Sequence, residues 1–446
     1  MTLSVEERFE NSWSLADNIF HDRLREEAAV EKPINLRNPF LFYEGHLPSF
    51  LFTRAMKALN VESFNPDYDY MFQRGIDPDV DDPTKCHDHP EMPPQWPERS
   101  RVVEYRNRVR ETLRDNDRMH QLDSMGMADM SIEHDLMHIE TLLYMVLQLD
   151  KKFKRWSRVE VDAAKPLLHR ISGEDFPDYV RIPEGTAKLG RNRETKKQQW
   201  GWDNEFGELE VQVNSFEAST LPVTVGEYVE FMRAGGYNRE SLWQEEDWKW
   251  RKRESLSHPK CLIPKSDSAG EWEYLTIHCT MTIEEARDLP IYVSLGEARA
   301  YAAWKGKRLP TEAEWHRMAF ARPGDGEETD YPWGDEKPVA GVHGNFGFKY
   351  WIPVGVGRFP AGKSAFGVLD LVGNGWELTD TPFEPFPGFE VDPDYPGYSS
   401  DFFEGKHFVL KGGSWATETQ LIRKTFRNWY QRNYPYVFSK FRLVSY

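Results

Sequence analysis

The sequence predicts an α+β protein of two domains, a helical bundle followed by a mixed, loop-rich domain. Three observations carry this. Up to about residue 150 the apolar residues recur at three- and four-residue steps, the period of a helix with one buried face. From about residue 200 that period fades, and Gly- and Pro-containing turns recur at Gly235-Gly236, Pro323-Gly324, Gly334-Asp335, Pro387-Gly388 and Gly412-Gly413. The length, 446 residues, is enough for two or three domains. The expected boundaries are 1–160 for a four-helix, antiparallel bundle, 161–200 for a linker and 201–446 for the mixed domain.

In chain order, residues 5–30 read as a helix, with Val5, Phe9, Trp13, Ile19, Phe20 and Leu24 on one face. An apolar and aromatic segment, Asn38 to Leu59, comes next and holds His46; Gly45 and Pro48 weaken a helix reading there. Residues 61–97 read as irregular, with seven prolines and Cys86-His87-Asp88-His89, a loop length that usually marks function or disorder. Residues 99–118 predict a charged helix turning Val102, Tyr105, Val109 and Leu113 inward. Met127 to Leu149, free of proline and glycine, predicts a long helix with His134 and His138. The basic cluster after it, Lys151 to Arg158, suits a helix C-terminus.

Beyond residue 200, Glu208 to Val213 alternates as a strand does. Thr224 with Glu227, and Ser294 with Glu297, are capping-box pairs that start helices ending before Gly235 and near Lys305. A further helical run follows Arg308-Leu309-Pro310-Thr311. The Trp residues, 16 in all, crowd from Trp200 onward, as in a loop-rich domain held by indoles.

Chemistry concentrates in the first half. His134 and His138 are four apart, so on a helix they share one face about a turn apart and can bind one cation. His46, amid apolar neighbours, is either a core histidine or a third ligand, and bundle cores are where such sites are built. Three neutral imidazoles suit iron, zinc or copper, and three protein ligands leave an open, catalytic-type position. Asp135 and Glu140 are alternative ligands, but they project roughly 100° and 200° away from the neighbouring histidines. His87 and His89 are further candidates in a polar loop.

Net charge is −17 with no long basic run, which argues against nucleic-acid and anionic-membrane partners. No apolar run reaches the ~18 residues of a membrane span, and the first residues are not a signal peptide. Three well-separated cysteines, Cys86, Cys261 and Cys279, predict a reducing, cytoplasmic setting without a disulfide framework.

Longer motifs resemble known families. Glu297-Ala298-x-Ala300-Tyr301-x-x-Trp304, then Gly306-Lys307-Arg308-Leu309-Pro310-Thr311-Glu312-Ala313-Glu314-Trp315, resembles the formylglycine-generating-enzyme-like (sulfatase-modifying-factor) domain, whose fold is similar to the C-type lectin fold. Gly373-Asn374-Gly375-Trp376-Glu377, Gly412-Gly413-Ser414-Trp415 and Phe441-Arg442-Leu443-Val444 look like its later landmarks. That family's own activity uses a C-terminal cysteine pair, and no cysteine follows Cys279. The first part resembles the DinB-like bundle. The two together look like the ergothioneine and ovothiol sulfoxide synthases, through Asn38-Pro39-Phe40-x-Phe42-Tyr43-x-Gly45-His46, Glu133-His134-x-x-x-His138-x-Glu140-Thr141, Gly201-Trp202-Asp203-Asn204-Glu205 and Thr425-Phe426-Arg427-Asn428-Trp429-Tyr430. Cys86-His87-x-His89 and Tyr430 to Tyr436 look most like the sulfoxide-synthase half of the fungal proteins, without the methyltransferase that usually precedes it.

The resemblance implies a mononuclear non-haem Fe(II) on His46, His134 and His138, and dioxygen-dependent joining of a thiol to the imidazole carbon of hercynine, the trimethylated histidine betaine, as a sulfoxide. Aromatic faces for the trimethylammonium group are available at Trp376, Phe426, Trp429 and Tyr430, with Phe383 as a further substrate contact. Arg74, Arg427 and Arg432 are candidate forks for a substrate carboxylate, and Asn428 looks like a betaine contact. Bacterial relatives carry a proton-donating Tyr shortly after Trp-Glu-Trp-Thr; here the stretch is Trp376-Glu377-Leu378-Thr379-Asp380-Thr381-Pro382-Phe383, so Tyr430, Tyr434 or Tyr43 is expected to serve. Met137 stands where bacterial forms have Gln, and Tyr430 where they have an acid, which favours cysteine over γ-glutamylcysteine as the thiol. Histidine as acceptor, a selenium donor, and a binding paralogue without catalysis are the alternatives.

Overall fold

The fold is that of a computed structural model describing residues 3–73, 93, 95–115, 117–155, 157–171, 176–197, 199–265, 270–324 and 327–446. The chain forms two compact units, Met1–Trp156 with Pro393–Tyr395, and Ser157–Asp392 with Pro396–Tyr446. The change of unit thus falls at Trp156, and part of the stretch expected to be linker is built into the second unit as strands.

The first unit is helical. Helix α1 (Val5–Asp17) opens on a capping box between Ser4 and Glu7. It is shorter than the run expected to residue 30: a π-helical turn, Asn18–Arg23, and a 3-10 stretch, Glu26–Val30, complete that segment. Helix α2 (Phe40–Phe50) is buried on every side. The expectation that Gly45 and Pro48 would weaken it is corrected here, because a helix apolar all round is stabilised by what packs on it rather than by propensity. Helix α3 (Pro66–Phe72) lies in the stretch read as irregular; Asn65 caps it by accepting from Tyr68 N, and Pro66 fits the first turn. Cys86, His87 and His89 lie outside the described residues.

Helices α4 (Arg99–Arg114), α5 (Arg118–Ser124) and α6 (Met127–Gln148) follow. Val102, Tyr105, Val109 and Leu113 of α4 are buried as the periodicity required. Helix α2 packs on α4 and α6, and α1 on α6. Buried Glu44 locks α2 to α4: it accepts from Arg99 Nε at 2.7 Å and from Arg106 Nη1 at 3.2 Å.

The second unit mixes short helices with four small sheets among its described residues. Its strands are β1 (Tyr179–Ile182), β2 (Gly185–Leu189), β3 (Leu209–Val213), β4 (Phe216–Ser219), β5 (Leu262–Pro264), β6 (Trp272–Leu275), β7 (Thr280–Thr282), β8 (Trp376–Pro382), β9 (His407–Lys411), β10 (Asn428–Gln431), β11 (Ser439–Lys440) and β12 (Val444–Ser445). They pair in the orders β1-β4-β12, β10-β9-β8-β11, β2-β3 and β5-β6-β7. The helices are α7 (Val159–Ala164), α8 (Val225–Arg233), α9 (Glu245–Arg253), α10 (Ile283–Ala286), α11 (Leu295–Trp304) and α12 (Glu312–Phe320).

The expected capping boxes at Thr224 and Ser294 are present, and Thr282/Glu285 and Thr311/Glu314 form two more. A core of Ile182, Phe216, Trp315, Phe320, Leu371 and Val444 joins β1, β4, β12 and α12. Beside it, buried Arg442 pairs with buried Glu377 through both carboxylate oxygens. Cys261 and Cys279 are free and buried, and no described helix is long and apolar enough to cross a membrane.

Candidate metal centre

The first unit brings His46, His134 and His138 together, with one ligand atom from each within 4.8 Å of the others. Their ring centroids are 4.5–5.0 Å apart. Helix α6 places His134 and His138 on one face, and α2 packs its middle against that face. Asp135 and Glu140, the alternative ligands, are not in this group. Asp135 instead lines a small void with Trp13, Phe20, Glu44 and Arg106, and burial pushes its carboxyl well up, toward the neutral form.

Phe72, at the end of α3, decides how His46 presents itself. Its carbonyl oxygen lies 2.6 Å from His46 Nδ1. A carbonyl only accepts, so Nδ1 carries the proton and Nε2 is a bare lone pair. That nitrogen is 3.1 Å from His138 Nε2. Gly45 makes the approach possible: a Cβ there would stand 2.7 Å from the Phe72 ring.

The surroundings favour neutral imidazoles. Burial pulls His46 down to about 4, against the pull of the Phe72 carbonyl. Burial holds His134 well below the usual imidazole range, helped by His138, His46 and Arg54, and does the same to His138 with help from His46 and Arg37. Among the described residues, both ring nitrogens of His134 and Nδ1 of His138 lack a hydrogen-bond partner. Leaving buried polar atoms unpaired is costly. Three neutral imidazoles, two with orphaned nitrogens and the third turning a bare Nε2 inward, are what a borderline metal ion satisfies, so the donor set fits the implied iron, and equally zinc or copper. Aromatic rings wall the centre. Phe50 lies flat on His134 at 3.5 Å and 5°, Phe42 on His46 at 5.2 Å, and Tyr43 stands 5.7 Å from His138. Tyr395, in the segment Pro393–Tyr395 that belongs to this unit, is 6.4 Å from His134.

The remaining expected residues divide between places. Met137 is on α6 beside His138, and Arg74 lies outside the described residues. Trp376, Phe383, Arg427, Asn428, Trp429, Tyr430, Arg432 and Tyr434 belong to the second unit. There Trp429 stacks on Phe383 at 4.3 Å and 6°, Tyr398 meets Trp429 edge-on at 5.2 Å, and Trp202 stacks on Tyr398 at 3.9 Å. Trp376 is apart from that group and packs on Phe426 at 5.8 Å.

Arg427 is not a free fork: it is buried, and its Nε and Nη2 donate to Glu312 at 3.0 and 3.2 Å. Asn428 is half-buried at the start of β10, its Oδ1 accepting from Trp429 N. Arg432 Nε faces Asp247 at 3.2 Å. Tyr430 and Tyr434 stack at 5.4 Å. Sequence reading missed Phe50, Phe72, Tyr395 and Tyr398. Phe72 had a signal in the Asn65-Pro66 helix start; Tyr395 had none, because only folding brings it beside α2 and α6.

Comparison with known proteins places these observations. Residues 165–446 match the sulfatase-modifying factor enzyme 1-like domain, the C-type-lectin-like domain expected from the motifs. Over 98% of its length the chain is 30% identical to ergothioneine biosynthesis protein 1 of Neurospora crassa, covering 57% of that protein. It is 40% identical to hercynine oxygenase of Mycobacterium tuberculosis, over 54% of this chain and 55% of that one. It is 33% identical to hercynine oxygenase of Mycolicibacterium smegmatis, over 70% of each. The chain therefore spans little more than half the length of the first two relatives.

Proposed function

The chain belongs to the family of ergothioneine-type sulfoxide synthases that carry a sulfatase-modifying factor enzyme 1-like domain, and from that premise we propose that it joins a thiol to the imidazole carbon of hercynine with dioxygen as oxidant. The C–H and S–H bonds are lost, a C–S and an S–O bond form, and the second oxygen atom leaves as water. Cysteine is the thiol, a choice supported by Met137 and Tyr430 standing where bacterial relatives carry Gln and an acid. The buried free thiols Cys261 and Cys279 are compatible with a reducing cytoplasm.

The observation that carries the proposal is the convergence of His46, His134 and His138 as neutral imidazoles, with unpartnered nitrogens on His134 and His138 among the described residues. A binding paralogue would have no use for them. They would hold the metal, and Fe(II) supplies the dioxygen and one-electron chemistry there. The remaining work falls to the protein. The Phe72 carbonyl keeps the proton on His46 Nδ1, leaving Nε2 to face inward. Phe42, Phe50 and Tyr43 keep the histidines dry.

In the second unit, half-buried Trp429 offers a face for the trimethylammonium group; Phe383, fully buried and stacked on Trp429, backs that ring rather than meeting substrate, and Asn428, adjoining it, offers its amide to the betaine carboxylate. Trp376 is kept as a substrate contact of the same unit. Arg427, given over to Glu312, supports Asn428 and Trp429 rather than binding substrate. Arg432 also faces a carboxylate, Asp247, and would take a substrate carboxylate in exchange for that pairing. Tyr430 and Tyr434 are assigned to proton delivery, with Tyr43 as the phenol beside His138.

The test is dioxygen uptake by anaerobically iron-loaded protein, followed by mass spectrometry of products from a mixture of cysteine, γ-glutamylcysteine, hercynine and histidine. A hercynyl-cysteine sulfoxide is the expected product. A histidine adduct moves the acceptor assignment to the ovothiol type, and no uptake with any pair overturns the enzyme reading.

A further inference from the structure

Strand β10 supplies the residues assigned above to the betaine, and a buried charge closes the turn that leads into it. Lys411 ends β9, next to Leu410, which pairs with Asn428 at the start of β10. Its side chain is buried, and its Nζ donates to the Lys424 carbonyl at 2.9 Å and to the Phe426 carbonyl at 2.7 Å. Both carbonyls lie just ahead of Asn428 in the chain, so one ammonium gathers the approach to the strand.

A buried ammonium is costly unless it is paired and hydrogen-bonded. The Glu312 carboxylate, at the start of α12, stands 3.9 Å from Nζ and is the same carboxylate that holds Arg427. Trp315, also on α12, brings its ring centroid to 5.9 Å from Nζ. Lys411 and Arg427 therefore flank one carboxylate, and the residue after Arg427 is Asn428.

We propose that Lys411 is a positioning residue for the betaine: its charged Nζ ties down the Lys424 and Phe426 carbonyls and so fixes Asn428 and Trp429. This rests on the assignment of those two residues to substrate given above. Loss of the proton would leave only weaker, uncharged hydrogen bonds to the two carbonyls. Burial pulls the ammonium down to about 8; Arg427 and Arg423 push the same way, while Glu312 and Glu205 oppose them. Hercynine affinity is thus expected to fall as pH rises through about 8. The ligand itself does not change charge in that window, because its trimethylammonium has no proton to lose and its carboxyl and imidazole titrate below about pH 7.

The experiment is calorimetric titration of hercynine into Fe(II)-loaded protein under argon without thiol, at steps from about pH 7 to about pH 9. Elemental analysis checks the metal content and circular dichroism the fold at each step. Wild type is expected to lose affinity about tenfold over the range. Lys411→Gln is expected to bind about tenfold more weakly at pH 7 and to show no pH dependence, and Lys411→Arg, which keeps its charge, to retain affinity at pH 9. If Lys411 acts through Asn428, the Lys411→Gln loss should vanish in an Asn428→Ala background. The wild-type pH profile reads the same effect should the variants fail to fold. Lys411→Gln binding at wild-type strength, or a wild-type affinity that stays flat to pH 9, overturns the inference while leaving the betaine strand standing. Wild type that binds no hercynine at pH 7 overturns the betaine assignment itself.

Discussion

At the scale of single residues, the centre depends on small groups placed next to the histidines. Gly45 is followed directly by His46, and the Phe72 ring occupies the space a side chain at 45 would need. Gly45→Ala is therefore expected to push Phe72 aside, cost about 1–3 kcal/mol through overpacking, and weaken metal binding about tenfold by loosening the Nδ1 hydrogen bond. Denaturant melts and a competitive metal titration read the two effects separately. His138→Ala removes one of three inward nitrogens and should abolish stoichiometric metal uptake, measured by elemental analysis; retained metal would refute the ligand assignment.

Glu205 carries a pH prediction. Burial works to raise its carboxyl, but Arg423, Arg191 and the Thr425 hydroxyl outweigh burial and bring it from 4.5 to about 2. The folded value lies below the unfolded one, so the stabilisation, on the order of 3 kcal/mol, is present above about pH 4.5 and is lost as pH falls toward 2. Glu205→Gln should flatten the stability profile in that window, followed by urea melts at stepped pH. The histidine pair was legible from its i, i+4 spacing, because helix geometry is local. The tautomer of His46 was not, since it depends on a carbonyl 26 positions away.

At the scale of elements, local chemistry and tertiary packing competed, and each won in particular places. The boxes at Thr224 and Ser294 start α8 and α11 where expected, because a hydroxyl and a carboxylate three residues apart satisfy the orphan amides of one helix end without outside help. Helix α2 went the other way: Gly45 and Pro48 argued against it, yet full burial between α4 and α6 holds it.

Glu44 is the clearest handle on that packing. Its carboxylate sits buried between Arg99 and Arg106. Glu44→Ala strips Arg106 of its buried carboxylate, leaving it the half-exposed Asp17 at 3.3 Å, and should destabilise the protein by about 1.5–3 kcal/mol, whereas a pair on the surface would cost under about 1. Chemical denaturation of Glu44→Ala beside the exposed-pair control Arg114→Ala makes the comparison.

At the scale of the whole molecule, the two units follow from two regimes of sequence, and metal binding is assigned to the first. A ligand that binds only the folded state stabilises it by mass action, so metal at one hundred times its dissociation constant should add about 2.7 kcal/mol. Wild type should show the corresponding rise in Tm, and His138→Ala should not. The α+β class, the helix with its two histidines, the capped helices and the family were all readable along the chain, because they rest on spacing and on motifs a few residues long. Folding alone decided which nitrogen His46 turns inward, that Arg427 is committed to Glu312, and that Tyr395 stands beside His134. Those are contacts between segments far apart in the chain, and a linear order of residues does not encode distance until packing has chosen which faces meet.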